Sequence, residues 1–214
     1  IVVGNITVGG TGKTPITLFL ADWFHDKGKK VGIISRGYKG AKTREQPFIL
    51  SKNDNAKDYG DEAVYMARES KAKVCVCKNK IKAAELLIDS GVDLIISDDG
   101  LQHYNLERDY EIVVIDSTRL LGNGHYLPAG PLRESSDRLN SVDLILINGG
   151  KYEEQSLFIG SAPTLNFSIE NEYLVDLNTS DKLNLKDFKG QTFKVLAGLG
   201  NPEKIYKKIK DYGI

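Results

Sequence analysis

The octapeptide Thr7-Val8-Gly9-Gly10-Thr11-Gly12-Lys13-Thr14 constrains this chain more than any other stretch. A short apolar run at residues 1–3 precedes it, and a helical pattern follows it, so it reads as a strand–loop–helix unit. The spacing matches the P-loop pattern G-x-x-x-x-G-K-[ST], with Thr7 standing at the first Gly. Phosphate binding needs these residue types. Glycines let backbone N–H groups curl around phosphate oxygens with no Cβ in the way, and the helix N-terminus adds partial positive charge. Lys13 is expected to reach the β- and γ-phosphates, and the Thr14 hydroxyl to bind Mg²⁺. Thr7, Val8, Gly9, Gly10, Thr11 and Gly12 complete the expected nucleotide cradle. Pro15 suits the first helical turn, where its missing N–H has no helical partner. The plainer alternative is a Gly-rich turn carrying an exposed Lys. No Asn-Lys-x-Asp sequence of the guanine-reading kind occurs, which favours ATP.

The rest of the pattern fits such a loop. Residues 31–35, 73–76, 94–97, 112–116 and 142–148 are apolar strand-like runs, and 47–50 is a shorter one. Between them lie helical faces. Ile16, Phe19, Leu20 and Trp23 recur at helical spacing, as do Ile81, Ala84, Leu87 and Ile88, while Asp61 and Glu62 suit a helix N-terminus. Continuous apolar strands separated by helices imply a parallel sheet covered on both faces. The expected fold is therefore α/β, a P-loop NTPase-like, doubly wound, mostly parallel sheet with its ligands at the carboxyl strand ends. Residues 164–177 alternate instead, like an antiparallel pair, and residues 195–199 and 202–212 resemble a further strand–turn–helix. The expected division is a P-loop domain over 1–165, a two-stranded linker over 166–190, and the start of a small α/β domain over 191–214. The chain opens inside a strand without Met and stops soon after a helix, so it reads as a piece of a longer protein.

Composition narrows the function classes. The 214 residues carry 29 Lys+Arg and 29 Asp+Glu, for a net charge of +0. A nucleic-acid binder needs surplus cations, so no nucleic-acid partner is expected. No apolar run reaches the length of a membrane span. Cys75 and Cys77 share one side of a strand and read as buried core thiols, not as a disulfide framework.

The other candidate site residues cluster after strands. Leu94-Ile95-Ile96-Ser97-Asp98-Asp99 delivers two carboxylates at a strand end, the Walker-B arrangement. We expect Asp98 toward Mg²⁺ and Asp99 toward an acceptor hydroxyl, against the alternative of a plain Asp-Asp-Gly turn. Asp61 and Glu62 suit acceptor positioning and metal coordination, or merely the helix dipole. Gln102 and His103 follow the Asp-Asp turn. His103 would orient Asp99 or contact substrate, or be a structural His. Arg36, Tyr38 and Lys39 follow the second strand and suit a phosphate-bearing acceptor. Residues 122–134 form a long Gly/Pro-rich loop holding Asn123 and Arg133, and loops of that kind at a binding edge usually carry function.

These motifs together resemble the tetraacyldisaccharide 4'-kinase family. The resemblance runs through Val3-Gly4-Asn5, the P-loop with Pro15, Ser35-Arg36-Gly37-Tyr38, Gly60-Asp61-Glu62 and Asp98-Asp99-Gly100-Leu101-Gln102-His103. It continues through Arg108-Asp109, Gly122-Asn123-Gly124, Leu127-Pro128-Ala129-Gly130-Pro131-Leu132-Arg133-Glu134, Val142-Asp143, Asn148-Gly149 and Ala197-Gly198-Leu199-Gly200-Asn201-Pro202. It implies transfer of the ATP γ-phosphoryl to the 4'-hydroxyl of a lipid A disaccharide 1-phosphate. It also implies Mg²⁺, and work at the cytoplasmic face of a Gram-negative inner membrane. The family's membrane-associated N-terminal helix and its downstream His motif, whose His partners the acid matching Asp99, fall outside this stretch. Membrane contact is expected through segments absent from this chain. Two other readings share the P-loop and the acids: a regulatory NTPase switch, in which Asp99 orients water, and a nucleotide-binding module without chemistry.

Overall fold

Apolar runs that are buried on both sides must lie side by side, and here they form one sheet. The computed structural model describes residues 1–42, 46–149, 161–170, 173–196 and 203–214. These divide into two units, Ile1–Phe167 and Ser168–Ile214.

In the first unit β1 (Val2–Gly4) runs through the Gly-rich loop into α1 (Lys13–Asp26). There follow β2 (Val31–Ser35), β3 (Phe48–Ile49), α2 (Ala56–Tyr59), α3 (Asp61–Glu69), β4 (Lys73–Val76) and α4 (Lys80–Asp89). Then come β5 (Leu94–Asp98), β6 (Glu111–Asp116), β7 (Leu144–Asn148) and β8 (Thr164–Phe167). The sheet order is β3-β4-β2-β5-β1-β6-β7-β8. Every neighbouring pair is parallel except β3 with β4. β1 sits where the winding changes side, with β5 and β2 to one flank and β6 and β7 to the other, so its outgoing loop opens at a switch point.

Period-two alternation distributes the core. Val3, Ile33 and Ile96 face α1 and α3, packing with Ile16, Ala21, Ala63 and Met66. Ile34 and Cys75 face the other way, against Ala83 and Leu87 of α4. Each large side chain buried this way contributes about 1.5–3 kcal/mol. Cys75 and Cys77 are both fully buried, and burial pushes the Cys75 thiol up to about 11.

Three expectations change. On α1 the inward residues are Ile16, Thr17 and Ala21, while Phe19 and Trp23 are exposed. Thr17 turns inward because its hydroxyl donates to Asp98 across the core, at 3.3 Å, and this fixes the rotation of the helix. Second, Thr164–Phe167 is not half of an antiparallel pair. It joins the main sheet parallel to β7, and its alternation reflects the exposure of an edge strand. The antiparallel pair lies wholly in the second unit, as β9 (Tyr173–Val175) against β10 (Lys182–Asn184). Third, residues 191–196 carry no regular structure. The remainder of the strand expected at 195–199, and the Ala197–Pro202 motif, lie outside the described residues. α5 (Glu203–Asp211) closes the second unit.

Candidate active site

The P-loop is held from three sides. Gly12 caps α1 with φ 100, a left-handed conformation that favours glycine. Asn5 donates to the Thr11 hydroxyl at 3.4 Å and Asn148 to the Thr11 carbonyl at 2.9 Å. Arg119 donates to the Gly10 carbonyl at 3.2 Å. The Gly/Pro-rich segment is strapped to the start of the same loop. Val8 N–H donates to Pro131 O at 2.8 Å, and Arg133 N–H donates to Ile6 O at 2.7 Å. Thr7 bridges Leu132 there. No local pattern signals this strap, because the two segments lie more than a hundred residues apart.

The acids emerge beside it. β5 ends at Asp98, whose side chain is buried, and Asp99 then turns left-handed at φ 47. Burial pushes the Asp98 carboxyl up, opposed by the charges of Lys80 and Lys13. Asp99 stands between two cations, with Lys13 Nζ at 3.4 Å and Arg133 Nη1 at 3.1 Å. Burial works to raise its carboxyl, but Lys13 and Arg133 together outweigh burial and hold it below the usual range. Glu62 moves the opposite way. Burial raises it, and the nearby charges of Asp98, Asp61 and Asp99 add to the rise against Lys13.

α3 brings Asp61 and Glu62 into place through a close approach. A Cβ on Gly60 would lie 2.6 Å from the Tyr38 carbonyl, so the Arg36–Tyr38 turn and the entry to α3 can touch only through glycine. Asp61 is exposed and accepts from the Glu62 N–H at 3.0 Å. Arg36 is exposed, and its charge reaches His103 and Lys80. His103 is held below its ordinary value by burial first, then by Lys80 and Arg36. Gln102 donates to Asn5 O at 2.9 Å and accepts from Arg133 at 3.4 Å, linking the acid turn to the P-loop strand. A cavity of about 570 Å³ lies beside this turn, lined by Lys80, Gln102, His103 and Tyr104 among others.

Lys13, Glu62, Asp98, Asp99, Gln102, His103 and Arg133 thus share one centre. Among the described residues, the side chains of Tyr38 and Asn123 make no hydrogen bond or ion pair to these. Tyr38 is exposed with Lys39 over its ring. Asn123 uses both polar groups inside its own loop, donating to Ala129 O at 3.0 Å and accepting from His125 N–H at 3.1 Å. Arg138, near the loop in sequence, pairs instead with Glu111. Sequence reading missed the roles of Thr17, Asn5 and Lys80. The one available signal was a Lys opening a helix, where the dipole disfavours it.

A divalent cation fits this centre. Among the described residues no three His, Cys, Asp or Glu form a metal cage. Mg²⁺ asks for less, namely one or two carboxylates, with phosphates and water supplying the rest. Asp98, Glu62 and the Thr14 hydroxyl match that sparse set, and the mutual repulsion of Glu62 and Asp98 is what a cation would relieve.

A family model described as tetraacyldisaccharide-1-P 4'-kinase matches residues 1–214. The chain is 42% identical to the tetraacyldisaccharide 4'-kinase of Haemophilus influenzae, covering all of this chain and 61% of that protein. It is 45% identical to that of Ruthia magnifica, covering 65% of it. The solved "apo" form of LpxK from Aquifex aeolicus, in complex with ATP, superposes with a TM-score of 0.77 at 29% identity, over all of this chain and 67% of that one. The chain therefore spans a little over three fifths of the length of these curated relatives. With a match along its whole length, the chain belongs to the tetraacyldisaccharide 4'-kinase family.

Proposed function

We propose that the protein containing this chain transfers the γ-phosphoryl group of ATP to the 4'-hydroxyl of a tetraacyldisaccharide 1-phosphate. The observation that carries the reading is Asp99 held between Lys13 and Arg133 at the mouth of a P-loop strapped to the long Gly/Pro-rich segment. Phosphoryl transfer asks mainly for positioning and charge stabilisation. Lys13 and the loop N–H groups hold the nucleotide phosphates. Asp98, Glu62 and Thr14 would hold Mg²⁺, which when bound supplies charge neutralisation at the phosphates. Arg133 and Arg36 are the cations available to the acceptor's own phosphate. Asp99 orients the 4'-hydroxyl and takes its proton late. Its two ion pairs make it a weak proton acceptor, so exposed Asp61 is a second candidate for that step. The kinase domain of this reading runs to the end of β8 at Phe167, two residues beyond the expected boundary, and the linker and the start of a smaller domain follow it. In this reading the lipid acceptor and the ATP donor meet at the cytoplasmic face of the inner membrane. No described helix is long and apolar enough to cross a membrane, and contact with the bilayer is assigned to segments beyond this chain.

The test is transfer of labelled phosphate from ATP to the disaccharide precursor in detergent, using the full-length protein beside Asp99→Ala and Asp61→Ala. A Mg²⁺-dependent labelled lipid is expected, with the variant that loses more activity marking the proton acceptor. Release of free phosphate without labelled lipid would favour the switch NTPase.

A further inference from the structure

Lys80 breaks two rules of placement. It is the first residue of α4, where the helix dipole is positive and a cation is disfavoured. It is also 3% exposed, so its ammonium has given up its hydration shell. The packing of α4 does not ask for a charge there. Its inner face is made by Ala83 and Leu87, and its first N–H groups are capped by Asn79. An apolar side chain at this position would fill the space without desolvating a cation.

What the ammonium touches accounts for it. Nζ donates to Ser97 Oγ at 3.1 Å and to the backbone carbonyl of Asp98. These are the last two residues of β5, and the next residue, Asp99, leaves in the left-handed conformation. Lys80 therefore grips the chain where strand gives way to the turn that sets Asp99 beside Lys13 and Arg133. It makes this contact from the α4 side of the sheet, where it also lines the cavity with Gln102 and His103.

We propose that Lys80 is a positioning residue for phosphoryl transfer, pinning the Ser97–Asp98 strand end and so fixing where the Asp99 carboxylate stands. The inference rests on the kinase reading above. In an oriented site a displacement of about 1 Å costs on the order of 10²-fold in rate. Among the described residues Lys80 makes no hydrogen bond to the P-loop, and its grip is on the strand end, so the loss is expected mainly in kcat and only slightly in the KM for ATP.

The experiment compares full-length wild type, Lys80→Met and Lys80→Arg for lipid phosphorylation and for melting temperature. Lys80→Met is expected to melt within a few degrees of wild type, with kcat lower by about 10- to 100-fold and the KM for ATP within about three-fold. Lys80→Arg keeps the charge and the donors, and is expected to recover kcat at least about ten-fold over Lys80→Met. A folded Lys80→Met with wild-type kcat overturns the inference. So does an equal loss in both variants, or a loss that only follows the unfolded fraction. If wild type transfers nothing to lipid but hydrolyses ATP, the acceptor reading fails by itself, and the same three-way comparison is read on hydrolysis. A wild type that does neither overturns both.

Discussion

Val2 pairs with Ser97 on one side and with Glu111 on the other, and each neighbour leads to a cluster of charges. On the β6 side, Glu111 accepts from Arg108 at 2.8 Å and from Arg138, and Arg138 also approaches Glu134 at 3.7 Å. Opposite charges alternate, and the Glu111 carboxyl is held below its usual range because the two arginines outweigh the effect of burial. On the β5 side, Asp98, Asp99, Asp61 and Glu62 crowd together, and Glu62 and Asp98 are pushed up. The first cluster meets most of its charge from within. The second leaves repulsion that a bound cation and a nucleotide held by Lys13 would relieve. One sheet thus carries a charge network matched largely from within and another that the proposed ligands would complete.

The largest effect belongs to the chemical cluster. Lys13→Ala removes the one side-chain cation of the P-loop, and transfer is expected to fall by about 10³-fold or more with the melting temperature nearly unchanged. A variant that loses stability in step with activity would erase the contrast between the clusters.

The next effect belongs to the structural cluster. Glu111→Gln leaves two largely buried arginines short of their partner. Removing one partner of a fully buried pair costs about 3–5 kcal/mol, and the partial exposure of these side chains reduces this to about 2 kcal/mol. That corresponds to roughly 4–8 °C in melting temperature, with kcat kept. Acid sharpens the point. A carboxyl lowered on folding gives stability that is complete above its unfolded value, 4.5, and is lost as pH falls through the folded value. The melting gap between wild type and Glu111→Gln is therefore expected to close as pH drops below that value, which scanning calorimetry across the acid range would check.

How much of this was legible follows from sequence distance. The P-loop, its helix and the Asp98–Asp99 strand end are local patterns, and their residue types announce their chemistry. The parallel sheet followed from continuous apolar runs. What stayed hidden depended on contacts between remote segments. Thr17 looks like an outward polar residue until Asp98, 81 residues on, is seen to accept its hydrogen bond. Arg133 meets Asp99 only because the Ile6–Arg133 bond straps its loop onto the P-loop strand. The part Asn123 plays in closing its own loop depends on Ala129 and His125, whose backbones it binds. Lys80 was passed over because a Lys in a helix is ordinarily a solvated one.

The smallest effect has the opposite sign and tests the comparison most directly. Glu62 is raised above its unfolded value of 4.5, so its ionised form costs folding energy at neutral pH. Glu62→Gln removes that cost and keeps the shape. The side chain is partly open to water, so screening limits the gain to about 0.5 kcal/mol, or roughly 1–2 °C. The gain should shrink as pH falls below the folded-state value and vanish below 4.5, where Glu62 is protonated whether folded or unfolded. The same substitution takes one carboxylate from the expected Mg²⁺ set, so the Mg²⁺ concentration for half-maximal transfer should rise. A variant that melts higher and needs more Mg²⁺ would mark Glu62 as a residue kept at the expense of stability. A variant that melts lower would place Glu62 with Glu111, among the charges that hold the fold together.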